Sequence, residues 1–447
     1  MKSPQDARNL AESLVDRALK AGADAADAAY VAKQSTEVEI RDGALEDVSR
    51  SEGEKIGIRL FIGQKSASVS ASAFSADDQR ELIDRLMAMA AEAPEDPYAG
   101  LAPQDMLLKE TPPDLDLNDS RQVDPALLKE RALDAEAAAV AVSGVAKSTG
   151  ASASTSSSVT AIATSHGFSG THNSSGHSVA AGAIAGEGSA MERDSYWHSA
   201  HHFDDLESPA QVGREAGERA AARVGPKKIG KGVMPVLYDP RVATSLLSHL
   251  SGAINGAAVA RRTSFLQEKM GERIFAEGIN IIDDPLRLRG LRSHGFDGEG
   301  LPVAKMAMVE DGVLKSWFAA SAAAKQLGIS PTGHAVRGSG SPGAAPSNFY
   351  IEAGTRSRAE LLAAHPRCLL VTELIGQGIN GVTGDYSRGA AGFLVEHGEI
   401  IHPVSEITVA SNLIQMFASL EPGSDLEFCR GIDAPTILIP EMTVGSA

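Results

Sequence analysis

The chain reads as an α+β protein on three observations. Short aliphatic runs are separated by turn dipeptides, amphipathic segments open on Ser-Pro or Asp-Pro, and a glycine-rich stretch lies between strand-like runs near the C-terminus. The expected arrangement is an N-terminal mixed α/β region of antiparallel sheets with flanking helices over residues 1–228, then a C-terminal β-rich domain over residues 229–447. The first region divides into a helix-meander-helix unit (1–93), a connector (94–123) and a second α+β unit (124–228). With 447 residues the chain can bury large cores. Aromatics are only 4% against 43% hydrophobic residues, so those cores must be aliphatic and alanine-rich.

Ser3-Pro4-Gln5-Asp6 supplies an N-cap, a proline at N1 and a capping-box acid for the first helix, whose apolar stripe stops at Gly22. Five short strands follow at 28–33, 36–41, 45–51, 55–62 and 67–73, with Asp42-Gly43 and Gly63-Gln64 as turns. Ser75 with Asp78 caps a second helix that ends before Pro94. Five prolines between Pro94 and Pro113 mark an extended connector crossing a surface. A third helix starts at Asp124-Pro125.

Residues 148–178 are rich in Ser, Thr, Gly and Ala, a composition that fits a flexible linker. Alternation around Val159, Ala161 and Ala163, with a Ser165-His166-Gly167 turn, favours a small-residue antiparallel sheet instead. A helix from Ser208-Pro209 to Val224 closes this half, and the boundary falls near residues 227–232.

The second half opens on a strand at 234–238 and a helix capped by Asp239-Pro240. Strands are expected at 279–282, 303–309 and 313–318, with a hairpin at Glu310-Asp311-Gly312. An alanine helix ends at Gly328, and a coil over 333–347 leads to a strand at 349–352. Strands at 369–374, 393–396 and 400–409 frame the glycine-rich stretch, and 436–439 is the last strand.

The net charge of −17 argues against a nucleic-acid backbone as partner, because phosphate neutralisation needs a basic face. Cys368 and Cys429 do not make a disulfide framework. No signal peptide precedes the first helix and no apolar run reaches the ~18 residues of a membrane span, so the expected setting is cytoplasmic, without membrane contact.

Gly376-Gln377-Gly378-Ile379-Asn380-Gly381 matches G-x-G-x-x-G after a strand. No helix follows, so no helix N-terminus is present to hold a pyrophosphate, and the dinucleotide reading falls. His198, His201 and His202 could ligate a metal, but no Cys or Glu stands at ligand spacing, and a hydrogen-bonding face is the plainer reading. His-Glu dipeptides and G-x-S-x-G are both missing from the sequence.

TELIGQGINGVTGDYSRGAAGFLVEHGEI, the following HPVSEITVASNL, the upstream LLSHLSGAINGAAVARRTSFL and KQLGISPTGHA, MERD at residues 191–194 and the terminal LIPEMTV together resemble the PmbA/TldD family, in its PmbA (TldE) branch. The resemblance runs from the first helix to the end. It implies a heterodimeric cytoplasmic metallopeptidase in which a TldD-type partner carries H-E-x-x-x-H on a helix, two imidazoles holding zinc and the glutamate polarising water. The corresponding helix here reads Ser248-His249-Leu250-Ser251-Gly252-Ala253: serine and alanine stand at the ligand positions, and His249 stands at the glutamate. The family's third ligand is a cysteine near the C-terminus, and Cys429 lies in a comparable place, so a His249–Cys429 remnant is the weaker metal reading.

The resemblance therefore implies that the isolated chain is inactive, has no cofactor of its own, leaves zinc to its partner and helps enclose unfolded peptides. Gly376, Gly378, Gly381, Thr383, Gly384, Asp385, Tyr386 and Arg388 are the candidate residues for peptide or partner binding, because exposed backbone beside strands suits β-augmentation. A stand-alone homodimeric, chaperone-like peptide binder is the alternative. A third reading gives Asp385, Tyr386 and Arg388 unrecognised catalytic chemistry, against turn geometry with an Asp–Arg ion pair. Older family names mention DNA gyrase, but the acidic charge gives no support for DNA contact.

Overall fold

The computed structural model describes residues 1–72 and 75–446; Ala73, which ends the fifth expected strand, lies outside them. Helix α1 (Pro4–Lys20) opens as its sequence requires, with the Ser3 side chain accepting from the Asp6 amide. Three strands follow, β1 (Ala25–Arg41), β2 (Ala44–Ile62) and β3 (Lys65–Ala71), then α2 (Ala76–Glu92) with its Ser75–Asp78 capping box. The expected breaks at Gln34-Ser35 and Glu52-Gly53 do not exist. Gln34 pairs with Glu52 and Lys33 with Gly53, so each pair of expected short strands is one long strand. The turn at Asp42-Gly43 is real and both residues have positive φ.

After the connector come α3 (Pro125–Val140), β4 (Val145–Thr164), β5 (Ser169–Ala185), β6 (Glu192–Ala200) and α4 (Pro209–Ala222). The Ser/Thr/Ala tract is therefore the centre of an antiparallel sheet ordered β3-β2-β1-β4-β5-β6. Even-numbered residues of β1 face the helices. Ala28, Tyr30 and Ala32 meet α1 and α2, and Val38 and Ile40 meet α3 and α4. Glycine lets two of these helices approach closely: a Cβ on Gly213 of α4 would lie 1.9 Å from the Ala135 carbonyl oxygen of α3.

The opposite face of this sheet packs on the second half of the chain. Ala29 and Ile162 join Phe168, Phe296 and Leu301, and the buried Asp27 carboxylate takes both Arg59 and Arg337. The connector contributes Ala102 and Leu107 to this seam, so it is partly buried rather than only a surface crossing.

The second half runs β7 (Gly232–Tyr238), α5 (Pro240–Ala253), α6 (Gly256–Ala260), β8 (Ile281–Asp283), β9 (Met306–Glu310), β10 (Val313–Leu314) and α7 (Ser321–Leu327). It continues through β11 (Ala335–Val336), β12 (Gly343–Ala344), β13 (Phe349–Ile351), α8 (Arg358–Ala363) and β14 (Arg367–Ile375). It ends with β15 (Asp385–Glu396), β16 (Glu399–Asn412), α9 (Leu413–Ser419), β17 (Glu421–Pro422), β18 (Ile432–Asp433) and β19 (Ile437–Ser446). The main sheet is ordered β16-β15-β14-β7-β19-β17, and β16 also pairs with β19, closing five strands into a ring. Val236, Tyr238, Leu369, Val371, Ile437 and Ile439 share one cluster with α5, while Leu237, Leu370 and Leu438 alternate outward onto α8.

The ring bends at bulges, one of them between Val371 and Glu373 and opposite Gly392. A Cβ on Gly392 would lie 1.9 Å from the Leu370 carbonyl oxygen. Gly392→Ala should therefore destabilise the protein by about 2 kcal/mol, seen as a lower urea midpoint at unchanged m value; an unchanged midpoint would mean that the bulge yields freely.

Candidate functional site

Ser248, His249 and Ala253 lie on α5, a regular helix held at its start by Asp239, which accepts from the Arg241 amide. Ser248 is exposed and gives its hydroxyl to the Thr244 carbonyl at 3.0 Å. Ala253 is buried, 6% exposed. Five residues at 3.6 per turn separate side chains by roughly 140°, so these two positions face different sides of α5.

His249 lies between those sides, edge-on to Tyr386 with ring centroids 6.0 Å apart. Tyr386 is 1% exposed, and its hydroxyl oxygen accepts from Tyr238 at 3.2 Å. The His249 Nε2 and the Arg388 Nε are both buried without a hydrogen-bond partner among the described residues. Burial first, and then the Arg388 charge, hold the His249 pKa down to about 4. The imidazole is thus neutral at ordinary pH, in a pocket that already has a cation. Burial pushes both tyrosine hydroxyls up, so they serve as neutral hydrogen-bonding groups.

The glycine-rich segment folds back on itself. Gly378 accepts from the Ser387 amide at 2.7 Å, Asn380 from Gly384 at 2.8 Å and Gly381 from Phe265 at 2.9 Å. Asn412 donates to the Thr383 carbonyl at 3.0 Å and to Asp385 at 3.2 Å. Gly376 and Gly384 take positive φ, and Gly384 is buried while Gly376, Gly378, Gly381, Thr383 and Asp385 stay exposed. Asp385, Tyr386 and Arg388 do not form one polar loop. They begin strand β15, so Tyr386 and Arg388 turn toward α5 while Asp385 turns away. The expected Asp–Arg pair is replaced by a 2.6 Å bond from Thr383 to Asp385, and that bond is the main cause of the lowered Asp385 pKa.

Cys429 lies in the loop before β18, its amide donating to Asp433 at 3.1 Å, and burial pushes its thiol pKa up. The three sequence-selected histidines serve separate joints. His198 accepts from the Glu207 amide, His201 reaches the Ser175 and Gly290 carbonyls, and His202 reaches the Asp116 carbonyl. Among the described residues, no group of three or more His, Cys, Asp or Glu side chains is disposed to hold a metal ion.

Family models match three consecutive segments: the first domain of the PmbA/TldA metallopeptidases over residues 26–90, the central domain over 118–224 and the C-terminal domain over 231–446. The chain belongs to the PmbA/TldD metallopeptidase family. It is 34% identical to the metalloprotease PmbA of Escherichia coli O157:H7, covering 98% of this chain and 96% of that protein. It is 33% identical to a PmbA homologue of Haemophilus influenzae over the same shares. Among solved structures, a protein described as a putative modulator of DNA gyrase from Bacteroides thetaiotaomicron superposes with a TM-score of 0.91 at 26% identity, covering 98% of this chain and 99% of that one. TldE from Thermococcus kodakarensis shares the fold, with a TM-score of 0.86 at 20% identity and coverage of 98% and 100%.

The family implies a metal, and the side chains of α5 do not fit one. The Ser248 hydroxyl is engaged with a carbonyl, Ala253 offers no donor, and Arg388 sets the charge around His249. No helix among the described residues is long and apolar enough to cross a membrane. Sequence reasoning missed Tyr238 as a partner of this site. Its signal was a tyrosine ending an otherwise aliphatic strand.

The buried imidazole sets a pH dependence. Unfolded histidine titrates near ~6.5, so between that pH and about 4 the unfolded chain binds a proton that native His249 refuses. Stability is full above the upper value and falls as pH drops through this window. His172 acts in the same direction, its pKa also about 4, so the comparison must be with His249→Phe. That variant should lose less stability between neutral and mildly acidic pH, by on the order of 1 kcal/mol after allowance for solvent screening. Equal slopes for the two proteins in pH-resolved urea denaturation would rule the effect out.

Proposed function

We propose that this chain is the non-catalytic subunit of a cytoplasmic heterodimeric metal-dependent peptidase, and that it helps enclose unfolded peptides beside a TldD-type partner. The observation that carries this reading is helix α5, intact and well packed, with Ser248, His249 and Ala253 at the three positions that matter. A neutral imidazole next to Arg388 does not replace a carboxylate that polarises water. Zinc accordingly belongs to the partner in this reading, and Cys429 keeps a half-buried thiol with no ligating role. The two-part division at residue 228 fits a sheet with helices on one face and, on the other, the segment of the second half that carries Phe296 and Leu301. Selection for unfolded substrates follows from enclosure, since a chamber excludes folded proteins by size.

The alternative is a homodimeric peptide binder acting alone. Ile375, Val382 and Ile414 are exposed at 57%, 57% and 41% around the glycine-rich segment and favour some protein contact there. In either reading, Gly376, Gly378, Gly381, Thr383 and Asp385 supply the exposed backbone of that surface.

Mixing separates the two. The purified chain alone should not cleave an unfolded peptide, whereas the chain mixed with a TldD-type protein should form a one-to-one complex with zinc-dependent activity. Zinc-dependent cleavage by the isolated chain would overturn the proposal. A stable homodimer in light scattering that ignores the partner would favour the alternative.

A further inference from the structure

Strand β6 and helix α4 of the first half face α5, β14 and the loop before β18 across two adjoining cavities of about 760 and 450 Å³. They share Tyr196, Arg219, Arg241, Thr244, Thr372 and Arg430, so they are two ends of one space. The ends differ in charge. Five arginines and two carboxylates line the larger one, and six carboxylates and four arginines line the smaller.

Both carboxylates of the basic end are already used. Asp194 takes Arg241 at 2.9 Å and Arg223 at 3.3 Å, and Arg223 also reaches Glu373. Arg193 and Arg430 line the same cavity with no ion-pair partner among the described residues; the Arg430 guanidinium lies 5.1 Å over the Trp197 ring. A second observation points into this space. Thr372 is 5% exposed and its Oγ1 is buried without a hydrogen-bond partner among the described residues. It is the residue that the β14 bulge leaves unpaired, which re-aims its side chain. Buried hydroxyls are rarely left unsatisfied, and a hydroxyl beside free guanidinium groups suits an incoming anion.

We propose that this cavity binds the free C-terminal carboxylate of a short peptide, seated on Arg193, Arg430 and the Thr372 hydroxyl, with the rest of the peptide running toward the acidic end, where its amino group meets Glu218 and Glu427. A planar carboxylate matches the guanidinium fork, and a zwitterion matches the charge reversal along the cavity. Trp197 and Tyr196 give the peptide apolar walls. The proposal rests on the peptide-enclosing reading and adds which end of the peptide this chain holds.

Isothermal titration of the full chain tests it with three probes: trialanine, trialanine amide and acetate. Trialanine should bind about tenfold or more tightly than its amide, the loss expected for a charge-assisted contact. Arg430→Ala and Arg193→Ala should each weaken trialanine about tenfold with unchanged thermal melting, and Arg430→Lys should fall between. Equal binding of acid and amide, no heat at millimolar trialanine, or variants that bind like the parent would overturn the site. Acetate binding as tightly as trialanine would overturn the peptide assignment. If Arg430→Ala fails to fold, Arg193→Ala decides. The subunit reading fails separately, by loss of the complex with a TldD-type protein, whatever trialanine does.

Discussion

The pairing of residues 407–410 with 443–446 is the contact on which the second half depends. Without it the sheet would end in a free β16 edge and a free β19 edge, each a template for wrong pairing. With it, β7, β14, β15, β16 and β19 form a ring whose two sets of side chains alternate between α5 and α8. The ring also fixes where α5 can lie. Tyr238 ends β7 just before the helix begins, and Tyr386 comes from β15, so their hydroxyl contact ties the base of α5 to two strands at once. A helix so anchored keeps Ser248, His249 and Ala253 in fixed positions.

Close backbone approach accounts for Gly378 and Gly392 better than ligand binding does. Gly378 and Gly392 each face a backbone carbonyl at a distance where a Cβ cannot fit, 1.8 Å from Ser387 and 1.9 Å from Leu370. Bulges bend the strands enough to complete the ring, and the bends bring backbone against backbone. The same device turns Thr372 out of the ladder and into the space between the halves. One irregularity in β14 thus serves both the curvature of the ring and the lining of a cavity.

Much of the fold was legible because local signals carried it. Caps at Ser3, Ser75, Asp124, Ser208 and Asp239 all open the helices they were expected to open. The tract 148–178 read correctly as a sheet because Val159, Ala161 and Ala163 alternate, and they do face one core. The false breaks in β1 and β2 came from Gln34-Ser35 and Glu52-Gly53, residue types that mark turns in isolation. Pairing across the two strands overrides that preference, and the exposure of 44–52 removes the apolar alternation that would have signalled continuity. Ring closure and the parallel β7–β14 pairing were not legible, since both join residues far apart in sequence. At the site, Asp385 and Arg388 looked like an ion pair at short spacing, but strand alternation sends them to opposite faces.

Electrostatics distinguishes the region of α5 from the cavity beside it. Around His249 the structure has gathered an imidazole with a depressed pKa, an arginine and two neutral tyrosines, with Met442 sulfur 3.5 Å from Tyr238. Burial and the Arg388 charge make His249 a weak base near neutral pH, and its ring packs edge-on to Tyr386. The cavity between the halves is the reverse. Unpaired Arg193 lies at one end, unpaired Arg430 lines both, and the carboxylates are in surplus at the other end. Water screens such a charge separation weakly inside a recess. A polarised recess of this kind suits a molecule that carries opposite charges at its two ends. The fold places Arg193 and Asp194 of the MERD segment in the wall of that recess.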